Sequence, residues 1–299
     1  MKRQFFCVNA KKYDSNKDYV VTAASSLNKP ESNTVMFCTE EHMGKIGVLM
    51  SIENCIVFWP EKTEIPKNIR LRHVIIAAPD PRQAYAMFFL DNGITYYPEP
   101  SKYQMRNGAY IAEGAQIGEN VVLFPGTYID SQVVIGDGCY IGSGVKLLGN
   151  TRLGKNVIVR ENAVIGADGL STMRKPDGGP ATIPQFGGVV LEDEVQIGAN
   201  TVIARGSIDD TIIHHGAKID NLCFISHNVQ VGVNTFIVGE TIMFGSSSTG
   251  VEAYISGNSS IREGVHVGEK SFVGMGSVVV ESVPNGAIVM GNPARQYRF

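Results

Sequence analysis

The sequence is poor in charge, in cysteine and in long apolar runs. Charged residues make up 18% of the 299 residues and the net charge is −3, so no polycationic surface for nucleic acid is announced. The five cysteines, Cys7, Cys38, Cys55, Cys139 and Cys223, are odd in number and form no CxxC pair. That argues against a disulfide framework and predicts reduced thiols in a cytoplasmic protein. The apolar run behind the basic start is too short for a signal peptide or a membrane span, so no stable membrane insertion is expected. A Gly-rich nucleotide loop near the N-terminus is missing too, which argues against a sugar-1-phosphate nucleotidyltransferase. Glycine is plentiful, at 33 residues, and marks a chain with many turns.

From Ile111 an aliphatic residue returns every six positions, through Ile117, Leu123, Ile129, Ile135, Ile141, Leu147, Leu153 and Val159 to Ile165. Two places before each lies a small or β-branched residue, such as Ala109, Thr127, Cys139 or Val157. The rhythm breaks between Asp168 and Gly187 and resumes at Leu191, Ile197 and Ile203. After an offset of four residues through RGSIDD it runs on from Ile213 to Val279. A period of six suits neither an α-helix nor a simple amphipathic strand. It predicts a parallel β-helix in which each hexad makes one flat side and three hexads make one triangular coil. Roughly 25 hexads would give about eight coils. Residues 1–100 lack the period and read as a small α/β domain, with VIIAA a buried strand and PDPRQAYAMFFLDN a helix whose apolar face is Ala84, Met87 and Phe88. The expected organisation is a small domain over 1–100, a β-helix over 101–281 and a tail over 282–299 outside the repeat. YYPEPSKY is the expected linker.

The motifs IGADG, IPQFGGV, EVQIGANTVIARGSIDDTII, KIDNLCFISHNVQVG and GNPAR occur in this order. Together they resemble the hexapeptide-repeat N-acyltransferases of nucleotide-linked amino sugars, in particular the UDP-3-O-acylglucosamine N-acyltransferases of lipid A synthesis. The resemblance implies a left-handed β-helix and a homotrimer with active sites in the grooves between chains, in the bacterial cytoplasm. VMFCTEEHM is similar to the uridine-binding segment of that family, with Met43 where its members carry a Tyr for the base.

Amide formation from an amine and a thioester needs a base, donors for the tetrahedral oxyanion, and positioning of both reactants. His227 suits the base, since imidazole titrates near neutral pH and the residue follows the inward Ile225 by two. One coil of 18 residues above it stands Gly245, whose bare backbone N–H would lie beside the base. The resemblance assigns Gly245 the oxyanion role and a contact to the cofactor. Asp220 and Asp209 are candidates for fixing the tautomer of His227. The resemblance makes Asn221 a substrate-positioning residue, and Arg205 and Asp210 join it as expected substrate-binding residues. GNPAR resembles a terminal coenzyme A loop, in which Asn292, Pro293 and Ala294 turn over the cofactor and Arg295 reaches a phosphate. The polar segment from Asp168 to Gly187 is expected to wall the sugar–nucleotide site, contributed by a neighbouring subunit. The tail, with Arg295 and Arg298, is short, and the net charge offers little steering for an acidic carrier protein. The expected donor is therefore acyl-CoA with a short acyl group, passed to a dTDP- or UDP-linked amino sugar for surface polysaccharide. The alternative is lipid A synthesis with an acyl carrier protein. No metal is expected. The repeat histidines His214, His215, His227 and His266 fall at different phases of the hexad, unlike the three-histidine zinc site of a γ-class carbonic anhydrase.

Overall fold

The computed structural model describes residues 5–94 and 101–297. The chain divides into two compact units: Met1–Tyr97 with Leu170–Phe186, and Pro98–Gly169 with Gly187–Phe299. Most of the expected linker, Tyr96–Pro100, lies outside the described residues. Beyond it Tyr103–Arg106 is already a strand, antiparallel to Ala109–Ala112.

In the first unit four parallel strands, Ala23–Ala24, Thr34–Phe37, Ile56–Pro60 and Val74–Ala78, lie side by side in chain order. Ile56–Pro60 is buried throughout, as a central parallel strand must be. The helix Pro81–Asp91 starts where Asp80 accepts the Gln83 N–H at 3.0 Å and Pro81 occupies the first turn. Its buried face is Pro81, Tyr85, Ala86, Phe88 and Phe89. That keeps Phe88 of the expected face, but Ala84 and Met87 are only half-buried. The large rings claim the interior because burying them removes the most apolar area from water. The segment Leu170–Phe186, which interrupts the repeat, belongs to this unit. It forms a hairpin, Thr172–Arg174 with Pro180–Thr182, and inserts Phe186 between Phe6 and Phe89, with ring centroids 5.7 and 5.2 Å away.

The second unit is a parallel β-helix. Its sheets contain ten, ten and eight strands, and each coil places one short strand in each sheet. We name the faces after one coil: Phe224–Ile225, Gln230–Val231 and Phe236–Ile237. The second residue of each pair points inward, so Ile165, Ile203, Ile225, Met243 and Ile261 form a column with no exposed surface. The corners need a left-handed backbone. On the corner between the Phe236 and Phe224 faces, Asn162, Asn200 and Asn258 have φ of +58°, +57° and +56°. Asn tolerates that region better than most residues. Successive coils pair 18 residues apart, as Ile225 does with Met243. Ile203 instead pairs with Ile225, because four extra residues are looped out at one corner. The tail does not leave the repeat as expected: Val283 bridges Val267, and Ile288–Met290 lies parallel to Phe272–Val273. Val283, Ala287 and Val289 stay buried, so apolar burial carries the coil on although the six-residue count has failed.

Candidate active site at one corner of the β-helix

His227 sits at the corner between the Phe224 and Gln230 faces, half-buried. Its carbonyl accepts the Ser246 N–H at 2.9 Å, which locks the coil above to it. A Cβ on Gly245 would lie 2.5 Å from His227 Cε1 and 2.7 Å from Nε2. The imidazole therefore lies against the bare Gly245 backbone, and any side chain there would displace the ring. Among the described residues the Gly245 N–H reaches no acceptor, so a donor is left beside the imidazole.

One coil beneath stands Arg205, only 4% exposed. Its Nε donates to the Gly187 carbonyl at 3.0 Å and Nη1 lies 3.6 Å from the Asp168 carboxylate. Gly149 makes room for the guanidinium, since a Cβ there would meet Nη2 at 2.5 Å. Asp210, 9% exposed, accepts the Gly188 N–H at 2.7 Å and pairs with Arg152 Nη2 at 2.7 Å. Both Arg205 and Asp210, expected as substrate-binding residues, are buried here and bonded to the backbone at Gly187 and Gly188. Removing a charge from water is costly unless partners surround it, and these partners come from the protein itself. Asp209 lies in the looped-out residues of the same coil, on the His227 corner.

Asp220 and Asn221 are elsewhere, on the corner between the Phe236 and Phe224 faces. Asp220 Oδ2 accepts the Gly239 N–H at 3.2 Å and Asn221 Oδ1 accepts the Ala199 N–H at 2.6 Å. Within one chain Asp220 thus does not orient His227; proximity in sequence misled because a coil turns a corner between them. Asp220 and Asn221 line a groove of about 460 Å³ with Arg160, Lys218, Phe236 and Tyr254. The turn Asn292–Arg295 closes the last coil beside the Phe236 face, held by the Ala294 N–H on the Val278 carbonyl at 2.8 Å. Arg295 is exposed there. Arg298 lies outside the described residues. In the first unit Met43 packs against the core around Trp59. Beside it, Thr39 and His42 cap the start of the helical run Glu40–Ser51.

Two features carry no role in the motifs. Asn228 joins the looped-out residues to the base, as described below. Glu192 and His214 stack 3.1 Å apart on a corner whose other coils carry Gly136, Gly154, Gly232 and Gly250. The interruption of that glycine series was the available signal.

Bacterial transferase hexapeptide repeats (six repeats) match residues 114–149 and 132–167, and the hexapeptide repeat of succinyl-transferase matches 250–281. The UDP-3-O-acylglucosamine N-acyltransferase of Francisella tularensis subsp. holarctica is 54% identical over 79 residues, 26% of this chain and 23% of that protein. The Hahella chejuensis protein of the same name is 48% identical over 100 residues, 33% of this chain and 28% of that protein. The matched part thus spans about a quarter of these relatives' length. The UDP-N-acetylglucosamine acyltransferase of Campylobacter jejuni shares the fold, with a TM-score of 0.58 at 24% identity over 65% of this chain and 74% of that one. The Arabidopsis enzyme of that name gives 0.54 at 23% identity over 65% and 73%. These relatives do not carry the expectation of a short acyl-CoA donor and a surface-polysaccharide product; their names point to UDP-linked glucosamine. The chain carries bacterial transferase hexapeptide repeats and resembles the UDP-3-O-acylglucosamine N-acyltransferases.

Proposed function

We propose that this chain is an N-acyltransferase that transfers an acyl group from a thioester to the amine of a UDP-linked glucosamine of the UDP-3-O-acylglucosamine type. The observation that carries the reading is the His227 imidazole lying on the bare Gly245 backbone, in a chain with this resemblance. In the reaction the amine attacks the thioester carbonyl, a C–N bond forms and the C–S bond breaks. His227 accepts the proton lost by the attacking nitrogen. The Gly245 N–H donates to the tetrahedral oxyanion. Asp209, on the same corner, is the carboxylate that orients the imidazole.

Three chains complete the site. Val164, Val202, Phe224 and Ile242 follow one another on the outside of the Phe224 face, half-buried and apolar. That face joins the His227 corner to the Asn221 corner. Turned toward a common three-fold axis, it sets Asp220 and Asn221 of one chain beside His227 of the next. Asn221 then positions the sugar, and Asp220 regains a place near the base. The segment around Met43 contributes to nucleotide binding. Five free thiols support a reducing, cytoplasmic setting. Among the described residues no helix is long and apolar enough to cross a membrane.

A second reading keeps acyl-CoA as the donor of a short acyl group; the exposed Asn292–Arg295 turn, open to a phosphate, favours it. The experiment offers UDP-3-O-acylglucosamine and unacylated UDP- and dTDP-amino sugars with acyl-CoA and with an acylated carrier protein. Turnover of UDP-3-O-acylglucosamine is expected. His227→Asn should lower kcat by about 10²–10⁴, with a far smaller change in KM for the sugar. Near wild-type kcat in that variant would remove His227 from the base role. Turnover of the unacylated sugars alone would overturn the substrate assignment.

A further inference from the structure

We propose that Asn228 is a positioning residue, which holds the His227 imidazole through the looped-out residues of the coil beneath. The proposal rests on the reading of His227 as the base. Among the described residues after Leu191, the spacing of the inward residues grows by four only in the loop between Arg205 and Asp210, which falls on the coil directly under His227. Both ends of the loop are anchored. Arg205 is buried on the Gly187 carbonyl, and Asp210 is buried on the Gly188 N–H and Arg152. The Ser207 N–H between them is thereby a fixed donor, and it donates to Asn228 Oδ1 at 2.7 Å. Asn228 is tied a second time, since its own N–H donates to Thr211 Oγ1 at 2.9 Å. The residue next to the imidazole is thus bonded by side chain and backbone to the coil below.

The equivalent corner positions in the next two coils are Ser246 and Gly264, at φ of +58° and +71°. Neither has an amide side chain, and no side-chain hydrogen bond to the coil below occurs there among the described residues. Such ties recur elsewhere in the β-helix, as where Asn221 Oδ1 accepts the Ala199 N–H, but at this corner position the coil that bears the imidazole has one and the two coils above it do not. The left-handed backbone favours Asn or Gly at such a corner, but it does not by itself require the bond to the Ser207 N–H. A base misplaced by about 1 Å can lose a factor of 10² in rate, so a second hydrogen bond on the adjoining residue has an evident use.

The test replaces the amide and keeps the backbone. Asn228 has φ of +60°, a value glycine adopts freely, so Asn228→Gly removes the Ser207 bond without backbone strain. Asn234→Gly is the matched control, at φ of +54° on the next corner of the same coil. Full-length protein labelled with ¹⁵N-histidine is titrated by NMR, with the His227 ring signals assigned by their loss in His227→Asn. The wild type and Asn234→Gly are expected to show one ring tautomer, and Asn228→Gly an exchange-averaged pair. Its kcat should fall about 10- to 100-fold, with the sugar KM and the thermal midpoint close to those of Asn234→Gly. Unchanged ring signals in Asn228→Gly overturn the proposal whatever the kinetics. If the ring signals change as expected but His227→Asn retains full activity, the base assignment falls while the positioning role stands.

Discussion

A single methyl group on Gly245 separates two roles that the sequence runs together. The glycine could serve by its N–H, or by the space it leaves. An alanine keeps the N–H but puts carbon 2.5 Å from His227 Cε1, inside any permitted contact. We expect Gly245→Ala to lower kcat about 10-fold or more by displacing the imidazole. In a His227→Ala background the same change should cost little further, because residues that act through one another are not additive. Equal losses in both backgrounds, measured at saturating substrate, would return Gly245 to a role independent of the ring. At this scale the stacking of Gly245 on His227 was legible, since fixed coil length turns a sequence interval into a stack. The burial of Arg205 and Asp210 was not. A charged residue that binds ligand and one buried against its own backbone have the same letters, and only burial tells them apart.

Elements differ in how far periodicity reaches them. The hexads were readable because each inward residue touches the ones 18 before and after it, so a local pattern states the long-range contact. The Leu170–Phe186 segment has no period, and its place was set by Phe186 finding the rings of Phe6 and Phe89. The first unit carries a pH-dependent element of its own. His73, 1% exposed, accepts the Cys55 N–H at Nδ1 (3.3 Å) and donates from Nε2 to the Leu49 carbonyl (2.9 Å). Burial holds its pKa below the usual histidine value. The unfolded chain then binds the proton more readily than the folded one. Stability is full above the unfolded pKa of about 6.5 and declines as pH falls below it toward the lowered folded value. Urea unfolding at pH 7.5 and 5.5 should show a loss in the wild type that His73→Gln reduces. The same loss in both proteins would assign the effect to other groups.

For the whole molecule the question is which face is covered. The Phe236 face carries Phe236, Tyr254 and Phe272, at 50%, 39% and 38% exposure, stacked along the coils. The Phe224 face carries the apolar series from Val164 to Ile242 and separates the two halves of the proposed site. If the Phe224 face meets the three-fold axis, light scattering should give three times the 32.4 kDa chain mass. Co-expressed His227→Ala and Asn221→Ala chains should then regain part of the activity that each lacks alone, because a mixed trimer contains one intact site. A trimer without such complementation would place the whole site within one chain.

The sequence by itself determined the β-helix, its coil length, the stacking of Gly245 over His227 and the separate N-terminal α/β unit. Each follows from a repeat whose period equals a structural length, or from its absence. Only the tertiary structure decided that the interrupting segment joins the N-terminal unit and that the stretch from Val283 to Met290 continues the coils. It also decided that Asp220 and His227 stand on different corners and that Arg205 and Asp210 are buried and bonded to the backbone at Gly187 and Gly188. Those outcomes depend on which buried groups find partners across many residues of chain, and a linear pattern holds no record of that pairing.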